Sequence, residues 1–379
     1  MDKPIILHEN EYTEEDLEKL KQGKVWKFKD IFESQLTELF EIDNAHLIGK
    51  DEYQGKLENF LKEYMQANAE LKGDYVYYPW SGLLVHLIGQ KDLHTLRTNR
   101  TNNLITREEQ EVLSKFTCGV AGLSFGNGIA LSLVYSGASS IIKIADTDIF
   151  ETTNLNRVRV GLSSVNEPKT VVTVREIYEI NPYAIVDVFD QGLTEENLDD
   201  FINGTNKLNA VFDVVDDFSM KVRIRLAAKK AQIPVIMLTS LEDSILVDVE
   251  RFDLDPDADI FHGLLGSVTD DLLNKRMTEE DKARYAMAIV GPETVSYRNL
   301  LSLSNIGKSL VSRPHLYGTV SIVCGLAAYI VKRIALGEEM PSMRRHLKFN
   351  EIMDIAPNKE DTAENRSKIM QELMKRGSE

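Results

Sequence analysis

Apolar positions recur with two different periods along this chain, and the points where the period changes mark its elements. From Thr106 onward, short apolar runs of strand length alternate with apolar residues spaced three and four apart. Segments 116–121, 141–145, 185–189, 208–215 and 234–238 read as strands, and 127–136, 168–180, 194–203 and 218–231 as the helices between them. Thr106-Arg-Glu-Glu109 forms a capping box ahead of this region, and Asn181-Pro182 stops one of its helices. Strands joined by helices in this order build a parallel sheet, because each parallel pair needs a crossover. Segment 244–252 reads as an antiparallel addition. The expected fold is α/β, a Rossmann-like, largely parallel sheet with helices on both faces and a smaller N-terminal accessory segment.

Before residue 96 the pattern differs. Thr13-Glu-Glu-Asp16 can cap a helix through Leu17 and Leu20, and Leu57, Phe60, Leu61, Tyr64 and Met65 mark a second. Segments 75–80 and 82–88 are strand-like and broken by Pro79. Their aromatic residues are expected to pack this segment onto the main domain rather than to stack on a ligand. The chain therefore divides into an accessory segment (1–95), a main domain (96–345) and a charged tail (346–379), whose last part reads as a loose helix or as disorder. Leu316 to Val331 carries no charge over sixteen residues. A spanning helix needs about 20 apolar residues, so a buried helix is the better reading.

Composition narrows the function classes. Of 379 residues, 60 are acidic and 44 basic, a net charge of −16 that repels nucleic acid and anionic membrane. Two cysteines, Cys118 and Cys324, supply neither a disulfide framework nor a Cys-x-x-C zinc pair. The Met-Asp-Lys-Pro start is no signal peptide, and cytoplasm is the expected location.

Candidate chemistry concentrates after the first two strands of the main domain. Cys118 to Gly128 carries a glycine-bearing bend, with Gly122 and Gly126, that leads into a helix. Glycines let the backbone approach a ligand, and a helix N-terminus favours phosphate. The second strand ends at Asp146, twenty residues after Gly126, at the spacing of the acid that grips a ribose in a Rossmann-type unit. Asp148, Asn154, Arg157 and Lys169 follow. The acids can take ribose hydroxyls and the cations phosphate oxygens. Asp216 follows a later strand at the edge where open α/β sheets bind ligands, and a hard carboxylate there suits magnesium. Asp213 reads as a strand-end turn residue.

These residues resemble the ThiF/MoeB/HesA superfamily, ATP-dependent activating enzymes related to those that activate ubiquitin-like proteins. The resemblance covers roughly Arg97 to Gly337. It rests on four features in order: Arg97-Thr-Asn-Arg100, the Ala121–Gly126 turn, the run from Asp146 through Arg157 to Lys169, and Phe212-Asp213-Val-Val-Asp216. Asn154-Leu-Asn-Arg157, 248–253 and His262 to Gly266 look most similar to ThiF-like domains fused to nitroreductase domains. The resemblance implies ATP and magnesium as cofactors and adenylation of a carboxylate. That carboxylate would belong to a small-molecule acid or to a Gly-Gly-ending carrier protein. It implies a homodimer and no nucleic-acid or membrane partner. It assigns Arg100, Arg157 and Lys169 to catalysis. It also assigns Gly122, Gly126, Asp146, Asp148, Asn154, Arg157 and Lys169 to the nucleotide and Asp216 to the metal. Arg100 would reach phosphates, in dimeric relatives from the neighbouring subunit.

The sequence departs from the family pattern in several places. Val158 stands where many relatives have glutamine, and the Asp146–Lys169 interval is one residue shorter than in the MoeB-like pattern. Neither cysteine suits a thioester, since both read as small buried residues. His262 reads either as a base or substrate contact, or as a turn histidine with no role. Two other classes stay open. An NAD-dependent oxidoreductase would share the strand, turn and acid but has no use for Arg157 and Lys169. A non-catalytic partner subunit would not need the whole set.

Overall fold

The computed structural model describes residues 3–23, 25–65, 71–266, 278–291 and 295–376. The chain divides into two compact units, Met1–Glu111 with Val174–Ala184, and Val112–Thr173 with Ile185–Glu379.

The first unit holds a four-stranded sheet in the order β1 (Ile5–Leu7), β3 (Asp74–Tyr78), β4 (Leu83–Leu87), β2 (Lys27–Asp30). The aromatic residues are its core: Tyr75 stacks on His86 at 4.3 Å between ring centroids, and Phe32 covers the same histidine at 4.6 Å. The Tyr78 hydroxyl donates to the Tyr178 carbonyl, and Trp80 Nε1 donates to Glu179. The β3–β4 turn needs Gly82, whose φ is +63° and whose added Cβ would lie 1.5 Å from Trp26. Thr13 and Asp16 form the expected capping box on the helix Glu14–Lys21.

The second unit is built on seven strands in the order β11 (Met343–Lys348), β10 (Ser244–Glu250), β9 (Val235–Ser240), β8 (Ala210–Asp213), β5 (Thr117–Ala121), β6 (Ile141–Ala145), β7 (Ile185–Phe189). Strands β9 to β7 run parallel; β10 is antiparallel to both β9 and β11. This is the expected α/β, Rossmann-like sheet flanked by helices. All of β5 is buried, as a strand covered on both faces must be. The helix Gly126–Tyr135 packs against the long helix Tyr317–Ala335; a Cβ at Gly128 would fall 2.6 Å from Cys324 Sγ, so the close approach requires glycine. Tyr317–Ala335 is long and apolar enough to cross a membrane by length and composition. It buries Val320, Val323, Ala327 and Val331 and leaves Ile322 and Tyr329 exposed.

Local details depart from the expectation. The segment read as helix 194–203 is helical only over Leu198–Asn203, because Thr194 and Asn197 bond each other's backbone N–H and form a separate turn. The tail does form a helix, Ala363–Arg376, in which Ile369 packs beside Leu300 of the helix Tyr297–Asn305.

Candidate functional site

The parallel strands β5, β6, β8 and β9 end along one edge of the sheet, and nearly all of the predicted site residues of this unit lie there or in the loops that follow. After β5 the chain bends at Gly122, with φ +93°; a Cβ there would sit 2.5 Å from the Val214 carbonyl, so the turn after β5 lies hard against the chain leaving β8. Gly126 opens the following helix with Val120 only 3.0 Å from where a Cβ would stand. Asp146, at the end of β6, locks this corner together. Its Oδ2 accepts from Leu123 N at 2.5 Å and its Oδ1 from Asp148 N at 2.7 Å.

Lys169 joins the two acids. Its side chain is only 7% exposed, with Nζ 2.8 Å from Asp148 Oδ2 and 4.0 Å from Asp146 Oδ1. The Thr173 hydroxyl donates to the Lys169 carbonyl and accepts from Asn127 Nδ2, which ties the lysine's first helical turn to the helix after the glycine bend. Between Asp148 and Lys169 the chain makes a lobe closed at its neck. There Phe150 N donates to Glu167 O, Asn166 N to Phe150 O and Lys169 N to Asp148 O.

The lobe carries the other two candidates. Asn154 is buried, and its side-chain oxygen accepts from Glu151 N, so that oxygen braces the lobe. Arg157 is partly buried, and its Nη1 donates to Thr153 O and to Asn156 Oδ1, both at 3.0 Å. Its Nε is buried with no partner. Burial lowers its pKa, opposed by the charges of Glu151 and Asp216. Asp216 is exposed beyond β8, while Asp217 caps the next helix by accepting from Met220 N. Among the described residues no group of three or more His, Cys, Asp or Glu side chains is placed to hold a metal ion. One hard carboxylate fits a magnesium ion that takes most of its ligands from phosphate and water.

Two residues absent from the sequence reading complete the cluster. Arg313 Nη2 donates to the carbonyl of Ser240, the last residue of β9, at 2.5 Å. Burial lowers its pKa, opposed by Asp216. His315 accepts at its carbonyl from Asn156 Nδ2, and its ring Nδ1 is buried without a partner. Burial, with Arg313 and Arg157 nearby, pushes the imidazole down to about 4, so it is neutral at physiological pH. Arg313-Pro-His315 lies just before the helix Tyr317–Ala335, and no local spacing in the sequence marks it as part of this site.

Other expectations are corrected or sharpened. Asp213 is no turn residue: fully buried, it pairs with Lys221 at 3.0 Å and Arg225 at 2.5 Å. Burial alone would raise its pKa, but these two cations hold it below the usual carboxylate value. Arg225 also pairs with Glu250, which accepts from Phe261 N, and its guanidinium lies 3.6 Å from the centre of the Phe261 ring. His262 contacts Asp248 at 2.9 Å, and that hydrogen bond raises its pKa; Arg344 takes the other Asp248 oxygen. Cys118 and Cys324 are buried, which pushes both thiols up to about 12. Arg100 belongs to the first unit, exposed in the short turn Asn99–Thr101. A cavity of about 580 Å³ lies beside the β9–β10 turn, bordered by Glu242, Ser296, Arg298 and Arg366 among others. Its arginines are already paired, Arg298 with Glu360 and Arg366 with Asp361.

A parallel sheet whose C-terminal edge gathers a glycine bend, strand-end acids and partly buried cations defines an α/β protein with its polar side chains collected at that edge. The ThiF family model matches residues 97–367, and the chain belongs to the ThiF family. It is 37% identical over 280 residues to the uncharacterized protein MT1398 of Mycobacterium tuberculosis (strain CDC 1551 / Oshkosh), a match that covers 74% of this chain. The chain spans only 38% of that relative's length. Among solved structures it is similar to PaaA, with 17% identity, TM-score 0.49, and 82% and 95% of the two chains covered. It is also similar to the tRNA N6-threonylcarbamoyladenosine dehydratase TcdA of E. coli (17%, 0.47, 66% and 98%) and to E. coli MccB with ATP (15%, 0.45, 77% and 72%).

Proposed function

We propose that this chain binds ATP with magnesium and activates a carboxylate as an acyl-adenylate, without an internal thioester. One observation carries the reading: Lys169, set on Asp146 and Asp148, and Arg157, in the lobe between Asp148 and Lys169, are both drawn partly out of water instead of packing a core. A carboxylate oxygen attacks the α-phosphorus, a new P–O bond forms, and pyrophosphate leaves. Two anions must meet, so fixed cations that cost no reorganisation lower the barrier. Asp146 and Asp148 would take the ribose. Asp216 would hold magnesium, which adds positive charge where the phosphates lie. In the same reading the protein is a cytoplasmic homodimer, and Arg100 serves the phosphates from its own or a neighbouring subunit. The substrate is a small acid or a Gly-Gly-ending carrier protein. Relatedness to the ThiF-like domains of nitroreductase fusions belongs to this proposal too.

Calorimetry with ATP and magnesium, and separately with NAD, tests it. ATP should bind and NAD should not. Lys169→Ala should keep its fold yet lose about a hundredfold in pyrophosphate exchange once a carboxylate substrate is in hand, the cost of one transition-state charge. NAD binding without ATP binding would replace this reading by the oxidoreductase one.

A further inference from the structure

Arg157 and Arg313 are cations without ion pairs. Among the described residues no carboxylate lies within ion-pairing distance of either, although both are partly buried. Arg157 rests on a carbonyl and an amide oxygen, and Arg313 on the Ser240 carbonyl. A guanidinium removed from water without a counter-charge is costly, and such sites are relieved when an anion arrives. The two are connected through a run of contacts: Arg157 to Asn156, and Asn156 to the His315 backbone, two residues from Arg313. Asp216 is the acid whose charge acts on both. Lys169, by contrast, is already matched by Asp148 and Asp146.

We propose that Arg313 is a further polyphosphate-binding cation, forming with Arg157 a two-arginine clamp on the triphosphate. The proposal rests on the ATP reading above. A triphosphate carries several negative charges, and the matched Lys169 cannot offset them alone. Planar guanidinium forks suit phosphate oxygens, and each arginine keeps donors unused by its backbone contacts. Neutral His315 leaves the clamp's charge to the arginines and lines it with an imidazole whose Nδ1 has no partner of its own.

The test compares ATP with AMP by calorimetry, with and without magnesium, for the wild type, Arg313→Gln and Arg313→Lys. Arg313→Gln should weaken ATP about tenfold, the worth of one charge-assisted contact, and leave AMP affinity unchanged. Arg313→Lys should recover part of the loss. Equal ATP affinity in Arg313→Gln and wild type would overturn the clamp and leave Arg313 to the carboxylate or to bracing β9. A parallel fall in ATP and AMP would also overturn it, as damage to the site as a whole. A wild type that binds neither nucleotide removes the ATP reading itself, whereas ATP binding indifferent to Arg313 removes the clamp alone.

Discussion

His315 shows how a single side chain reports on its surroundings. Folding pushes its pKa from 6.5 to about 4. Between those values the unfolded chain binds a proton that the folded chain refuses, so stability falls as pH drops through that window. The contribution is intact above pH 6.5 and lost by about pH 4, where it amounts to up to roughly 3 kcal/mol. Urea denaturation from pH 7 to 4 should therefore show His315→Gln losing less stability than the wild type. Parallel curves would mean that His315 titrates alike in the folded and unfolded chain. Neither His315 nor Arg313 was legible in the sequence, while Asp146 and Lys169 were. Asp146 follows from where a strand ends, and Lys169 from where the next helix begins. Arg313 and His315 join the cluster only because the chain returns from far away, Arg313 to Ser240 and His315 to Asn156. No local spacing encodes that return.

At the level of elements, the end of β8 holds two acids with opposite fates. Asp213 is sealed against the helix Phe218–Ala231 by Lys221 and Arg225, whereas Asp216 is exposed. Removing one partner of a buried ion pair strands the other, at a cost of about 3–5 kcal/mol. Asp213→Asn should lose stability of that order in chemical denaturation, while Asp216→Asn should change it by no more than about 0.5 kcal/mol. Comparable losses in the two variants would contradict the split. Apolar periodicity placed most of these elements within a few residues, because buried strands and amphipathic helices write their period into the sequence. It did not mark β11, Met343-Arg-Arg-His-Leu-Lys348, as a strand. That strand exists because β10 offers it a pairing edge, with Arg344 placed opposite Asp248.

Across the whole molecule, the chemistry available to a ThiF-family chain turns on its thiols. Two cysteines are present, both buried and both held far from the thiolate form. A chromogenic disulfide reagent should find no reactive thiol in the native protein and two after denaturation. Stoichiometric labelling of either cysteine under native conditions would reopen a thioester route. The family was legible from four short motifs because each sits where the backbone itself is constrained: a bend, a strand end, a helix start. The split of Lys169–Ile180 between two compact units was not, since a helix gives no local sign that its halves belong to different cores.

The neck that joins Asp148–Phe150 to Asn166–Lys169 frees this part of the fold from counting residues. Once hydrogen bonds fix the two ends of a loop, its contour length becomes a weak variable; doubling it costs only about 0.6 kcal/mol of closure entropy. The separation of Asp148 from Lys169 is then a property of the crossing, not of the chain that bulges beyond it. An interval from Asp146 to Lys169 one residue shorter than the MoeB-like pattern would then change only the bulge.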